Sequence, residues 1–330
     1  MPDRPDDRRP RVAVTRPELP GPGMARLAAE ADLRVWPERR PPTAPELAEL
    51  VADADGLLCQ TGDRIDAALL GGAPRLRVLS NAGVGYDNLD RAALARRGIP
   101  AGNTPGVLTE TTADLTWALI LAAARRIVEA DRLVRSGGWV RSDFDLLLGQ
   151  DVWGATLGVV GYGAIGRAVA RRGLGFGMRI LYTSRHPAAD AGAATRVPLP
   201  ELMRTADVVS IHTPMTLETR GLIGAAEIAL MKPTAILVNT SRGAVVDQVA
   251  LAAALAEGRL FAAGLDVTAI EPTPPGDPIL GLPNCVVLPH IGSASFATRS
   301  RMVATAVDNV LAGLRGERLP HCVNPEVYDA

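Results

Sequence analysis

The sequence predicts an α/β protein made of two doubly wound domains, each built on a parallel sheet. Short apolar segments alternate with amphipathic helical segments along most of the chain, which is typical of parallel sheets covered on both faces. A glycine-rich turn joins one such strand to a helix near the middle of the sequence. The chain has 330 residues, which favours two hydrophobic cores over one.

The first alternating unit begins at Arg11 and ends near Gly102–Pro105. Its strands are predicted at Arg11–Thr15, Leu33–Trp36, Gly56–Cys59 and Arg77–Ser80. Its helices are predicted at Met24–Ala31, Ala44–Ala52, Arg64–Leu70 and Leu89–Arg97. The pattern from Glu110 to Arg135 then predicts one long helix, which Gly137 ends, with an apolar face broader than one core contact requires.

The second unit opens on the glycine-rich turn. Its strands are predicted at Leu157–Val160, Arg179–Tyr182, Val208–Ile211, Ala235–Asn239, Phe261–Leu265 and Val286–Leu288. The helices between them are predicted to begin near Ala164, Glu201, Ala225 and Gln248, and a last helix is predicted at Ala297–Leu314. Strands in this order after such a turn indicate a doubly wound Rossmann sheet.

The glycine-rich turn predicts a dinucleotide site. Gly161 permits the bend from strand to helix, Gly163 lets a pyrophosphate approach the backbone, and Gly166 lets the helix pack on the strand. The phosphates are expected to accept hydrogen bonds from the N–H groups at the helix N-terminus. The predicted contacts are the whole turn: Gly161, Tyr162, Gly163, Ala164, Ile165 and Gly166.

The strand after this turn indicates which dinucleotide binds. It ends in Ser184 and Arg185, and no acidic residue follows before Asp190. A carboxylate would repel a 2′-phosphate, whereas a guanidinium binds it bidentately. The sequence therefore favours NADP(H), with NAD(H) possible; the alternative is that Arg185 is a solvated loop residue.

Polar side chains also follow the later strands, at Arg242, Asp266, Glu271 and His290. Ligands of open α/β sheets bind at the carboxyl ends of the strands, so these four are expected to share one cleft. Taken singly, each has a structural explanation as a helix cap, a turn carboxylate or a core histidine. For His212, which follows another strand, a cofactor contact and a structural role both stay open.

Composition limits the partners. The formal net charge is −1, which does not favour nucleic acid or an acidic membrane surface. The three cysteines form no C-x-x-C pair, which predicts reduced thiols in a cytoplasmic protein and no metal site. Residues 1–11 lack the apolar segment of a secretory signal and are predicted to be a frayed tail, and the apolar run Leu115–Ala124 is too short to cross a bilayer.

The chain resembles the D-isomer-specific 2-hydroxyacid dehydrogenases, and within them the glyoxylate/hydroxypyruvate reductases. The resemblance spans Arg11 to Glu326 and rests on several motifs in the right order. Besides the glycine turn, they are Asn81–Asn88, Asn239–Gly243, Gly264–Val267, Glu271–Pro272 and Pro289–Ser293. Tyr182–Arg185, Leu148–Gly149 before the glycine turn and the short spacing from Glu271 to His290 point to the reductases.

The resemblance implies hydride transfer between a nicotinamide cofactor and a short 2-oxo acid such as glyoxylate or hydroxypyruvate. His290 would donate a proton to the forming alkoxide, Glu271 would orient it and favour its protonated form, and Arg242 would bind the substrate carboxylate. Further predicted substrate contacts are Thr61, Val84 and Gly85. Further predicted cofactor contacts are Thr112, Ser184, Arg185, His212, Thr213, Pro214, Thr240, Ser241, Asp266 and Gly292.

The resemblance also implies an architecture. A flavodoxin-like substrate domain would comprise residues 1–104 and 294–330, and a Rossmann NAD(P)-binding domain residues 105–293. The helix and loop at 106–150 would form a homodimer interface, and the cleft would close by a hinge near Thr104 and Ser293. The alternative is a non-catalytic, dinucleotide-sensing corepressor-like protein of the same fold. Formate-, phosphite- and 3-phosphoglycerate-type dehydrogenases are disfavoured by missing polar residues or by the short C-terminus.

Overall fold

The computed structural model describes residues 8–329, so most of the predicted N-terminal tail lies outside the described residues. The chain divides into two compact units. One unit extends to Leu108 and resumes at Ala294, and the other spans Thr109–Ser293.

Both units contain a sheet in which every pair of neighbouring strands is parallel. The strands are β1 (Arg11–Val14), β2 (Asp32–Val35), β3 (Gly56–Cys59), β4 (Val78–Asn81), β5 (Ala101–Gly102), β6 (Thr156–Val160), β7 (Arg179–Thr183), β8 (Thr195–Arg196), β9 (Val208–Ile211), β10 (Ile236–Asn239), β11 (Ala262–Leu265) and β12 (Cys285–Val287). The first sheet has the order β2-β1-β3-β4-β5 and the second β12-β11-β10-β9-β6-β7-β8.

Helices connect these strands. They are α1 (Gly23–Glu30), α2 (Ala44–Val51), α3 (Ala67–Gly71), α4 (Arg91–Arg96), α5 (Thr109–Ala124), α6 (Ile127–Arg135), α7 (Ala164–Gly175), α8 (Leu199–Thr205), α9 (Ala225–Ala229), α10 (Gln248–Ala256) and α11 (Phe296–Leu314). Short 3₁₀ turns lie at Gly243–Val245, Pro278–Gly281 and Pro325–Tyr328.

The first unit buries both faces of its sheet. Successive side chains of β1 point to opposite faces, so Ala13 joins a core with α2 while Val12 and Val14 join a core with α1 and α11. Helix α11 lies far along the chain from the strands it covers. Its buried Asn309 donates to Ser80 Oγ at 3.2 Å and to the Asn103 carbonyl at 3.0 Å. Helix α11 therefore completes the core on one face of the first sheet.

The second unit also has a core on each face of its sheet. On one face α5 packs so closely on β11 that a Cβ at Gly264 would lie 3.0 Å from Leu119 Cβ. On the other face α8 packs on β6, where Leu202 contacts Gly158. Both sheets are parallel and covered on both sides, so the predicted α/β class with two doubly wound sheets is confirmed.

The prediction of a single helix from Glu110 to Arg135 is wrong, because α5 and α6 are separate. Arg126 between them adopts a left-handed conformation with φ of 52°. Residue 150 comes back to the end of α5, where Gln150 N donates to the Ala124 carbonyl at 2.9 Å. This bond takes the place of the one that a further turn of α5 would make. The structure also adds β5 and β8, which have two residues each and are too short to give a pattern.

Among residues 8–329, no helix combines the length and the apolar character that a bilayer crossing requires.

Candidate active site

The predicted catalytic residues follow three neighbouring strands of the second sheet. Arg242 lies after β10, Glu271 after β11 and His290 after β12. These strands are adjacent and parallel, so their carboxyl ends, and the loops that follow them, meet at one edge of the sheet. All three side chains thus belong to one edge of one unit.

His290 and Glu271 form a hydrogen-bonded pair. The Nδ1 of His290 is 2.7 Å from Glu271 Oε2, and each side chain is 38% exposed. A carboxylate only accepts, so Nδ1 carries the hydrogen and donates it. The other carboxylate oxygen, Oε1, accepts from Thr268 N at 3.2 Å. Glu271 is therefore fixed at both oxygens, and within residues 8–329 the Nε2 of His290 makes no hydrogen bond and is free to face a substrate.

Asp266 shapes the turn that carries His290. Its Oδ1 accepts from Ile291 N and its Oδ2 from Gly292 N, both at 2.7 Å, and its own carbonyl accepts from His290 N at 2.9 Å. His290 sits in this turn with φ of 56°, a left-handed conformation that histidine adopts more readily than most residues. Burial raises the pKa of Asp266 above its usual value because it disfavours the charged carboxylate. The sequence predicted only a cofactor contact for Asp266, and its bracing role was missed.

Arg242 projects from a loop held by Asn239, the last residue of β10. The Asn239 amide donates to the Arg242 carbonyl at 2.9 Å, and its oxygen accepts from Ser241 N and Ser241 Oγ at 3.0 and 2.9 Å. The following Gly243 has no room for a side chain, since a Cβ would lie 1.8 Å from the Thr268 carbonyl oxygen. The loop of Arg242 therefore packs directly on the segment that leads to Glu271.

The glycine turn fits a dinucleotide. Gly161 has φ of 94°, and a Cβ there would lie 2.7 Å from the His212 carbonyl carbon. A Cβ at Gly166 would lie 2.2 Å from the Gly161 carbonyl oxygen, so helix and turn touch. Gly163, by contrast, has open space where a Cβ would stand. It leaves the N–H groups of Ala164 and Ile165 open to an anion at the N-terminus of α7.

Strand order places this turn at the switch point of the sheet. Gly161, directly after β6, meets the start of the loop after β9, which carries His212, Thr213 and Pro214. Burial lowers the pKa of His212 to about 3, so its imidazole is neutral, and its Nε2 is 2.7 Å from Ser210 Oγ. Thr213 Oγ1 is buried and has no hydrogen-bond partner in the part of the chain that the structure describes, which is consistent with a polar ligand at this position.

The remaining predicted cofactor residues line the same unit. Thr240 Oγ1 bonds Thr116 Oγ1 at 2.9 Å, beneath the loop that carries Ser241. A Cβ at Gly292 would lie 3.4 Å from Thr112 Cγ2, so these two residues are neighbours. The ring of Tyr162 stacks on that of Tyr182, with ring centroids 4.2 Å apart. Only the backbone of Tyr162 belongs to the glycine turn.

The loop after β7 makes more hydrogen bonds and ion pairs than the sequence predicts. Ser184 Oγ donates to the His186 carbonyl at 2.6 Å, and the Arg185 guanidinium pairs with Glu218. Arg196, which was not predicted, donates to the carbonyls of Ser184 and Arg185 at 2.9 and 3.2 Å. The guanidinium of Arg196 thus holds the backbone of this loop, and β7 is five strand positions from β12, about 24 Å at the usual strand spacing. Arg185 is too distant to act on chemistry at His290.

The first unit carries the predicted residues Thr61, Val84 and Gly85 at the carboxyl ends of β3 and β4. A Cβ at Gly83 would lie 2.5 Å from Thr61 Cγ2, so the two loops touch. The carbonyl of Val84 accepts from Asn103 Nδ2 at 2.9 Å, and that of Gly85 from Asn81 Nδ2 at 2.6 Å. Within the described residues the N–H groups of Val84 and Gly85 donate to nothing, which makes this loop a candidate backbone site for an anion.

No group of three or more histidine, cysteine, aspartate or glutamate side chains in residues 8–329 is arranged to hold a metal ion.

Comparisons with known proteins agree with this arrangement. The family described as "D-isomer specific 2-hydroxyacid dehydrogenase, NAD binding domain" matches residues 117–292. A glyoxylate reductase of Korarchaeum cryptofilum is 50% identical over 323 residues, which cover 97% of each chain. A glyoxylate/hydroxypyruvate reductase B of Yersinia enterocolitica is 48% identical over 287 residues, 86% of this chain and 88% of that protein.

Solved structures give the same result. A protein of Thermus thermophilus has a TM-score of 0.89 at 49% identity, and the match covers 95% of this chain and 99% of that one. An NADPH-dependent glyoxylate/hydroxypyruvate reductase of Sinorhizobium meliloti, solved with NADP and malonate, has a TM-score of 0.85 at 33% identity, with 97% and 98% covered. The chain therefore belongs to the D-isomer-specific 2-hydroxyacid dehydrogenases and is a nicotinamide-dinucleotide-dependent oxidoreductase.

Proposed function

We propose that this protein reduces glyoxylate or hydroxypyruvate to the D-2-hydroxy acid, with His290 as the proton donor. The observation that carries the proposal is the 2.7 Å pair of His290 and Glu271 at the sheet edge that also holds the dinucleotide turn. The names of the relatives support the substrate class, since seven of them, at 43–50% identity, are glyoxylate reductases.

Reduction of a keto group needs a proton donor, and the pair of His290 and Glu271 supplies one. A bound nicotinamide dinucleotide supplies the hydride that reaches the keto carbon. Negative charge then grows on the keto oxygen, and the free Nε2 of His290 donates a proton to it. Glu271 accepts the hydrogen of Nδ1 and so holds the imidazole ring in one orientation.

Arg242 binds the substrate carboxylate in this proposal and polarises the keto oxygen, because a guanidinium suits a planar carboxylate. Asn239 fixes the backbone of Arg242, which limits the positions of its side chain. The N–H groups of Val84 and Gly85 are likewise proposed to bind a carboxylate, with Thr61 beside them. We accordingly assign the first unit as the substrate domain.

The preferred cofactor is NADPH in this proposal. Arg196, the last residue of β8, donates to the backbone carbonyl of Arg185, and no acidic residue lies between the end of β7 and Asp190. The 2′-phosphate would replace Glu218 as the partner of Arg185. That exchange is inexpensive, since both side chains of the pair are largely exposed and such pairs contribute only about 0–1 kcal/mol.

The protein is proposed to form a homodimer through the second unit. Helix α6 has no buried residue although it carries apolar side chains. Its Ile127 and Val134 are large and exposed, and the residues that follow the helix add six more exposed apolar side chains: Trp139, Val140, Phe144, Leu146, Leu148 and Trp153. So many exposed apolar side chains in one stretch of sequence support contact with another chain, and cyclic dimers are the commonest assembly.

Initial rates of cofactor oxidation test the function. We expect fast reduction of glyoxylate or hydroxypyruvate, and faster turnover with NADPH than with NADH. The His290→Gln variant should lose turnover and keep cofactor affinity, whereas His321→Gln, a change at an exposed histidine of the other unit, should alter neither. Tight cofactor binding without turnover on any 2-oxo acid would refute the proposal and favour a dinucleotide sensor.

A further inference from the structure

Gln248, the first residue of α10, joins two segments near the catalytic pair. Its Oε1 accepts from Ala269 N at 2.7 Å, and its Nε2 donates to Asp277 Oδ2 at 2.7 Å. The amide is therefore used on both sides, once as an acceptor and once as a donor. Only a side chain with both functions satisfies these two partners.

Ala269 belongs to the turn that presents Glu271. The neighbouring Thr268 donates its N–H to Glu271 Oε1 at 3.2 Å, and its hydroxyl is 2.7 Å from Thr273 Oγ1 and 2.8 Å from the Ile270 carbonyl. The turn is thus closed on itself by short bonds. Gln248 is its hydrogen-bonded link to α10, because the bond at Ala269 fixes the backbone one residue from the donor to Glu271.

The other partner of Gln248 is rigid. Asp277 caps the 3₁₀ turn Pro278–Gly281 by accepting from Ile279 N at 3.0 Å with its Oδ1. Ile279 is fully buried in the core of the second unit. The sequence of bonds from Asp277 through Gln248 to Ala269 therefore ties the turn of Glu271 to the core.

We propose that Gln248 is a positioning residue for the catalytic pair, acting through Ala269 N–H on the carboxylate of Glu271 and so on the orientation of His290. This inference rests on the proposed function. Within residues 8–329 the Gln248 side chain makes no hydrogen bond to His290 or Glu271, so its proposed effect is on geometry alone. A displaced Glu271 would leave the Nδ1–H of His290 without its acceptor, and Nε2 would no longer be held towards the substrate.

An exchange of donor and acceptor tests the proposal. The Gln248→Glu variant keeps an acceptor for Ala269 but places a carboxylate against Asp277, so the two repel. The double variant Gln248→Glu with Asp277→Asn restores one donor and one acceptor, and the new asparagine keeps the oxygen that caps Ile279. Gln150→Glu is the matched control, because the Gln150 side chain makes no hydrogen bond within the described residues.

We expect kcat for glyoxylate to fall about tenfold in Gln248→Glu, with the Kd for NADPH unchanged, and to recover by about threefold or more in the double variant. The control should keep the wild-type kcat. Unchanged kcat in Gln248→Glu would overturn the proposal. A loss that the double variant does not reverse, accompanied by a lower Tm in both, would also overturn it, since that result indicates general destabilisation.

Nitrogen-15 NMR of the histidine side chains separates this inference from the proposed function. We expect the Nδ1–H signal of His290 to move in Gln248→Glu and to return in the double variant, whether or not the wild-type protein reduces a 2-oxo acid. Absence of wild-type turnover with this NMR pattern would refute the function and keep the positioning role. An unmoved signal would refute the positioning role.

Discussion

Replacement of Asp266 by asparagine should damage the turn that holds His290. The carboxylate uses its two oxygens on two backbone donors, Ile291 N and Gly292 N, each at 2.7 Å. Asparagine offers one oxygen and one NH₂ group, so one N–H faces another donor. A buried donor without an acceptor costs about 1–3 kcal/mol. If the whole of this cost opposes the His290 geometry that catalysis requires, kcat/KM falls about 5- to 150-fold, since each 1.36 kcal/mol is a factor of about ten.

The assay is the initial rate of glyoxylate reduction at saturating NADPH, with thermal unfolding measured in parallel. Asp247→Asn is the matched control. Asp247 caps α10 with one oxygen only, since Oδ1 accepts from both Val249 N and Ala250 N, and asparagine retains that oxygen. Asp247→Asn should therefore keep activity and Tm. Wild-type activity in Asp266→Asn, or an equal loss in both variants, would refute the reasoning.

Three further predictions concern the cofactor, the assembly and pH. Arg185→Ala should raise KM for NADPH far more than for NADH, because only the former carries a 2′-phosphate, whereas the exposed, ion-paired Arg259→Ala should change neither. Val134→Asp should convert a dimer into a monomer in sedimentation, and Leu217→Asp, at an even more exposed apolar residue, should not. Since the pKa of His212 is about 3 in the fold against 6.5 in the unfolded chain, stability should be complete above pH 6.5 and fall as the pH drops towards 3. Urea titrations at pH 7 and pH 5 should show a loss from this group of about 1–2 kcal/mol, which His212→Gln removes.

Much of the fold could be predicted because it depends on local patterns. Buried parallel strands such as β6 and β9 are short apolar runs, and the glycine turn has a spacing that few other structures require. The grouping of polar residues after β10, β11 and β12 follows from a single rule, that parallel strands end at the same edge. That rule brings distant residues together without any knowledge of their contacts.

The features that escaped prediction depend on contacts distant in sequence. The break at Arg126 depends on Gln150, which returns to the end of α5, and nothing in the local pattern records that contact. Asp266 looks like a ligand contact in the sequence, whereas its two bonds to the His290 turn form only when β11 and β12 lie side by side. Arg196 was missed because a two-residue strand leaves no periodicity to detect.

The placement of α11 has a consequence for synthesis on the ribosome. The first sheet emerges early, but the helix that covers Val12, Leu58 and Val78 is translated almost last. The second unit is continuous in sequence and can fold as soon as it has emerged. During that interval only α1 covers this apolar face of the first sheet, so a nascent chain stalled before residue 296 is the species most exposed to chaperones and to aggregation.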